Sequence, residues 1–188
     1  GEECSVSVGV CGEVDRDKFL PRNGAKVGDS IYVSGSLGIA KLGLKVLKSK
    51  KKDLNSAEKK YRNKFLKPKI HTELGKNLRG IASSCIDISD GLIGDLGHIC
   101  KQSNLGARIY FDSIPHEGNL KDALTWGDDY ELCFTVSKNK ETKLNEVLKK
   151  LKIKKFKIGE ITYEKGIKIF QGVKEIQLKR KSYNHLSP

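Results

Sequence analysis

The 188-residue sequence has no apolar run of the ~18 residues that a membrane span requires. Nor does Gly1-Glu2-Glu3-Cys4 show the basic start and apolar stretch of an export signal. No membrane partner is expected, and the cytoplasm is the expected location. The five cysteines, Cys4, Cys11, Cys85, Cys100 and Cys133, are odd in number and contain no Cys-x-x-Cys, which argues against a zinc site and against a disulfide framework. Reduced thiols agree with a cytosolic setting. Aromatic residues make up only 7% and apolar residues 37%, against a charged fraction of 31%, so the chain is expected to fold around a modest core under a heavily solvated surface. Also missing are a Walker or dinucleotide glycine signature and any Ser-His-Asp or Cys-His pattern. His71, His98, His116 and His185 share no metal-ligand spacing, and Gly35-Ser36-Leu37-Gly38 reads as a tight turn.

What the sequence has in excess is positive charge. The formal net charge is +13, carried mostly by lysine in Lys48-Ser49-Lys50-Lys51-Lys52, Lys59-Lys60 and much of the stretch from Lys138 to Lys181. Such a balance raises the possibility of a polyanion partner. These lysines, however, occupy the polar sides of amphipathic segments without interleaved aromatics, and lysine is a point charge that lacks arginine's planar bidentate fork. A solvated surface is the favoured reading, and nucleic acid is not expected as a partner.

The chain is long enough for one domain plus a short extra piece. Ser5 to Val14 alternates Val6, Val8 and Val10 with small residues and predicts a strand, followed by a connecting loop containing Pro21, Asn23 and Gly24. A short strand is predicted over Asp29–Gly35. Helices are predicted from Ile39 to Leu47, from Ser56 to Leu66 ahead of Pro68, and from Ile70 to Leu78. Ser84–Ile88 predicts a strand, Gly91–Ser103 a helix with Leu92, Leu96 and Ile99 on one stripe, and Ala107–Phe111 a strand. Beyond these come a short helix near Asn119–Leu124, a strand over Tyr130–Val136, a helix over Glu141–Leu151, and strands over Lys155–Ile161, Gly166–Phe170 and Glu175–Leu178. The expected fold class is α/β (α+β), a mixed β-sheet flanked by helices.

Two acidic segments carry the chemistry. Asp87-Ile88-Ser89-Asp90-Gly91 places two carboxylates and a hydroxyl where a strand stops and a helix begins. Free backbone N–H groups and the helix dipole favour phosphate at such a junction, and flanking carboxylates can hold magnesium. The same residues also suit a plain helix cap. A cap leaves Asp87 unexplained, because a carboxylate between Ile86 and Ile88 pays desolvation unless it is hydrogen-bonded or coordinating. Gly127-Asp128-Asp129-Tyr130-Glu131 is the second cluster, in a loop feeding an apolar strand, and fits either a polar turn or a ligand-orienting loop. Trp126 beside it reads as packing.

In order and spacing, Gly24-Ala25-Lys26-Val27-Gly28-Asp29-Ser30, Ile86 to Leu92, Asp95-Leu96-Gly97-His98-Ile99 and Gly127-Asp128-Asp129-Tyr130-Glu131-Leu132 resemble the thiamine-monophosphate kinase family. The resemblance runs to Ser182-Tyr183-Asn184-His185 and covers only the carboxy-terminal portion of that family's proteins. It implies the C-terminal domain fold of aminoimidazole ribonucleotide synthetase-like proteins, and ATP-dependent phosphorylation of thiamine monophosphate to thiamine diphosphate with Mg2+. By the same resemblance Asp87 and Asp90 are expected metal ligands, Ser89 an ATP contact, and Asp128 and Tyr183 substrate contacts. The family usually carries a second glycine and a glutamate around the Gly127-Asp128 position; here Trp126 precedes Gly127 and the acid is the shorter aspartate. Residues 1–15 are then expected to be a strand left from an absent ATP-binding domain and 16–188 the substrate and phosphate domain. The chain is expected to be inactive alone, and the full-length protein is expected to form a homodimer. Another ATP-dependent enzyme of the same superfamily, a basic nucleic-acid-binding module and a noncatalytic interaction domain are the alternatives.

Overall fold

In β1 (Ser30–Val33), Ile31 and Val33 point into one buried cluster and Tyr32 into another, so this four-residue strand has a core on each face. The computed structural model describes residues 6–16 and 18–177. Around β1 lie β2 (Ala82–Asp87), β3 (Gly106–Tyr110), β4 (Leu132–Val136), β5 (Phe156–Thr162), β6 (Gly166–Gln171) and β7 (Lys174–Ile176). They form one mixed sheet of order β2-β4-β1-β5-β3-β6-β7, antiparallel throughout except for the parallel pair β3 and β6.

The helices among the described residues are α1 (Ile39–Lys48), α2 (Ser56–Leu66), α3 (Thr72–Leu78), α4 (Leu92–Ser103), α5 (Leu120–Thr125) and α6 (Glu141–Lys150). The predicted stripe of α4, Leu92, Leu96 and Ile99, is fully buried against Ile31, Val33, Ile109 and Ile169 on one face of the sheet. On the other face, Leu74 and Leu78 of α3 and Leu144 and Leu148 of α6 cover Tyr32, Phe134 and Val136. The Tyr32 and Phe134 rings stack there, and the Tyr32 hydroxyl donates to Glu141 Oε1 at 2.9 Å. Helix α1 rests on α2 at Gly43, where a Cβ would stand 2.3 Å from the Tyr61 carbonyl oxygen; only glycine admits this approach.

Strand β5 buries both Ile158 and Ile161 in the same cluster, which a strict two-residue period forbids. A bulge resolves the conflict: Ile31 pairs with Gly159 while Tyr32 pairs with Lys157, so one residue of β5 is inserted and the pattern changes phase. The predicted elements are otherwise found close to their expected limits. One is not. Residues 6–14 of the expected Ser5–Val14 strand pair with nothing, and Val6, Val8 and Val10 are 80–90% exposed. Alternation supplies a face, but a strand also needs a neighbour for its N–H and C=O groups, and none is present among the described residues. Ser5 itself lies outside the described residues. The described cysteines Cys11, Cys85, Cys100 and Cys133 are free thiols, and Cys4 lies outside the described residues. No described helix is long and apolar enough to cross a membrane.

Candidate functional site

Strands β2 and β4 are antiparallel neighbours, and their ladder continues past both strand ends into the two acidic segments. Ile88 N–H donates to the Glu131 carbonyl at 2.7 Å, Tyr130 N–H to Ile88 at 2.8 Å, and Asp128 N–H to Ser89 at 3.0 Å. Segments 40 residues apart in sequence thereby become one surface, with Asp87, Ser89 and Asp90 on one side and Asp128 and Tyr130 on the other. Gly127 permits the approach: a Cβ there would sit 1.8 Å from the Ser89 carbonyl oxygen. On the opposite flank Gly91, at φ 108° and ψ 147°, passes so close to Thr125 that a Cβ would lie 2.8 Å from its carbonyl carbon.

The second segment alternates in role. Asp128 (φ 66°) and Tyr130 (φ 50°) both adopt left-handed backbone, a strained state for non-glycine residues, and remain at the surface. Asp129 and Glu131, which alternate with them, are buried. The Asp129 carboxylate accepts from Gly38 N–H at 2.6 Å and Ala40 N–H at 3.1 Å, capping α1 from outside the helix. Burial nevertheless raises its pKa to about 6, the two amides only partly offsetting that cost. Glu131 accepts from the Ser34 hydroxyl and lies 2.6 Å from Lys64 Nζ and 2.8 Å from His71 Nε2. Burial acts to raise its pKa, but His71, Lys64 and Ser34 together outweigh it and hold the carboxyl down at about 2. The left-handed Tyr130 is thus held between two anchored acids, and Asp128 is tied down by the first of them.

The junction before α4 differs from expectation. Neither Ser89 nor Asp90 caps the helix with its side chain, and the N-cap residue is Gly91. Two backbone amides ahead of the helix are occupied: Ser89 N–H and Asp90 N–H both donate to Asp95 Oδ2, each at 3.0 Å. Asp95 is 2% exposed, and its pKa is raised by burial and by the nearby Asp90 and Asp87 carboxylates, against its two backbone hydrogen bonds. Asp90, Asp95 and His98 each bring one donor atom within 4.8 Å of the other two. The Tyr130 phenol is likewise raised, by burial and then by the charges of Asp128, Asp87 and Asp90. Mostly oxygen donors of this kind suit a hard cation such as Mg2+. A cavity of about 280 Å³ opens beside Asp87 and Tyr130, walled by Pro68, Ile70 and Leu132.

Of the residues expected to bind ligands, Asp87, Ser89, Asp90 and Asp128 share this surface, and Tyr183 lies outside the described residues. Trp126 packs beside them, with Lys41 Nζ 4.6 Å from its ring centroid. The sequence reading did not single out Asp95, although an acid three residues after Leu92 and one before Leu96 sits on the apolar stripe of α4, and that position was a signal. Lys64 and His71 gave none, since their role appears only once α2 and α3 meet β4.

A family model described as AIR synthase related protein, C-terminal domain, matches residues 26–171. Thiamine-monophosphate kinase of Buchnera aphidicola subsp. Schizaphis graminum is 42% identical over 193 residues, covering 96% of this chain and 60% of the relative. The crystal structure of thiamine-monophosphate kinase from Stenotrophomonas maltophilia K279a is similar at a TM-score of 0.75 and 34% identity, over 83% of this chain and 54% of that one. The structure of AaThiL complexed with AMPPCP and TMP is similar at 0.75 and 27% identity, over 89% and 55%. The chain spans about 60% of the length of the curated relatives it matches.

Proposed function

Because the chain belongs to the family of AIR synthase related proteins, matching their C-terminal domain, we propose that it is the carboxy-terminal part of a kinase that transfers the terminal phosphoryl group of ATP to thiamine monophosphate, yielding thiamine diphosphate. The observation that carries this reading is the backbone ladder that joins the two acidic segments into one surface bearing Asp87, Ser89, Asp90 and Asp128. Relatives bearing that activity in their names, and one solved with AMPPCP and TMP, support it.

The chemistry asks little of a general base. The acceptor is already a phosphate oxygen anion, so catalysis rests on aligning two anionic groups and neutralising the charge between them. In this reading Asp87 and Asp90 hold Mg2+, which when bound supplies that neutralisation. Ser89 contacts the nucleotide, and Asp128 and Tyr183 contact the acceptor, whose thiazolium ring is cationic and complements an acid. Residues 16–188 form the substrate and phosphate domain, while residues 1–15 belong to an upstream nucleotide-binding part. A homodimer of the full-length protein and a cytoplasmic location belong to the same reading.

The test is Asp90→Asn in the full-length protein. Turnover of thiamine monophosphate is expected to fall by about a hundredfold or more, with unchanged circular dichroism and thermal midpoint. Near-normal turnover at saturating Mg2+ would reject the assignment.

A further inference from the structure

We propose that Asp95 is the positioning residue of the junction, acting through hydrogen bonds rather than charge, and that by occupying the loop amides it makes the junction a site for a cation-bound phosphate rather than a bare one. The inference rests on the functional reading above. Phosphate-binding loops at helix starts ordinarily work by aiming free backbone N–H groups at the anion. Here the two candidate amides, Ser89 and Asp90, are turned inward onto a single oxygen, Asp95 Oδ2, at 3.0 Å each. The ring closes on itself, since Asp95 N–H donates to the Gly91 carbonyl at 3.0 Å. Gly91, at φ 108°, supplies the backbone reversal that lets the loop fold back over its own helix. With Asp95 only 2% exposed, no solvent competes for these bonds.

The geometry has two consequences. Behind the loop stands a carboxylate, and in front stand Asp87 and Asp90, so a phosphate approaching without a counterion meets like charge where the Ser89 and Asp90 amides are already taken. The Asp87 and Asp90 carboxylates would hold a divalent cation there, whose charge would offset that repulsion. Because one oxygen accepts both bonds, an amide oxygen can replace it. The charge of Asp95 is therefore dispensable while its acceptor is not, which separates positioning from direct coordination.

The experiment compares Asp95→Asn and Asp95→Ala with wild type in the full-length protein, using Mn2+ as the probe. Electron paramagnetic resonance reads free Mn2+, and hydrogen exchange reads the Ser89 and Asp90 amides; neither needs turnover, so they stand apart from failure of the kinase reading. Asp95→Ala is expected to weaken Mn2+ half-saturation at least about tenfold and to release both amides to fast exchange. Asp95→Asn is expected to keep Mn2+ half-saturation within about threefold and both amides protected, and wild type is expected to bind AMPPCP with Mn2+ but not in EDTA. An Asp95→Asn loss of about tenfold or more overturns the proposal, because it makes charge the agent. Undiminished Mn2+ binding in folded Asp95→Ala, or equal AMPPCP affinity with and without metal, overturns it as well. Should Asp95→Ala fail to fold, the Asp95→Asn and EDTA measurements decide alone.

Discussion

Asp129 and Glu131 are both buried acids, yet their surroundings send them in opposite directions, and their pH signatures are opposite too. Asp129 has a folded pKa of about 6 against 3.8 as a free side chain. The native state therefore holds its proton more tightly, and its contribution to stability is fully present below pH ~4 and lost as pH rises through about 6, worth at most about 3 kcal/mol. Glu131, at about 2 against 4.5, contributes stability above pH ~4.5 that is lost as pH falls through 2. Thermal midpoints measured from pH 2 to pH 7 are expected to lose the upper slope in Asp129→Asn and the lower slope in Glu131→Gln. At Gly127, substitution by alanine puts a Cβ into the Ser89 carbonyl, and denaturant unfolding is expected to show a loss of about 1–3 kcal/mol together with separation of the two acidic segments. Asp87 was legible in the sequence because a carboxylate at a strand end is costly unless used, whereas Ser89, Asp90 and Asp128 took their roles from the family resemblance. The sequence could not distinguish the exposed from the buried acids of Asp128-Asp129-Tyr130-Glu131, because that division depends on left-handed backbone at two non-glycine residues, and neither residue type announces it.

Helices and strands were legible wherever local rules and packing agree. The α2 prediction rested on spacing and Pro68, and the helix found there opens with a full capping box between Asn55 and Glu58. The α4 stripe is buried as its period required. The amino-terminal alternation reports a face without reporting a partner, and residues 6–14 have no strand neighbour among the described residues. Illegible as well was the tie between elements that share no pattern: Lys64 of α2 and His71 before α3 meet on Glu131 beside β4. Glu131→Gln leaves a largely buried ammonium without its counter-charge, and a loss of about 3 kcal/mol is expected in denaturant titration at neutral pH. Because the same carboxylate anchors the strained Tyr130 backbone, hydrogen exchange in the 127–131 segment should rise in that variant before global unfolding.

For the molecule as a whole, the layered fold class could be read from the sequence, whereas the strand order could not. Strands β2 and β3 flank α4 in sequence, yet three strands separate them in the sheet. Nothing in a chain of short apolar segments states which non-local neighbour each will choose. In the proposed reading Asp87, Ser89 and Asp90 supply only one wall of the site, so the 188-residue chain is expected to show no thiamine-monophosphate kinase activity by itself; measurable turnover by the purified chain would contradict that division. The central position of β1 has a further consequence, in time rather than space. Its partners, β4 and β5, begin about a hundred residues later, with Ser30 pairing with Val136 and Glu160. As the chain leaves the ribosome, this interior strand must therefore wait through most of synthesis before it gains a neighbour, and loop closure of that length makes the wait slow. During that interval the apolar Ile31-Tyr32-Val33 stretch is a target for chaperones and for its own copies.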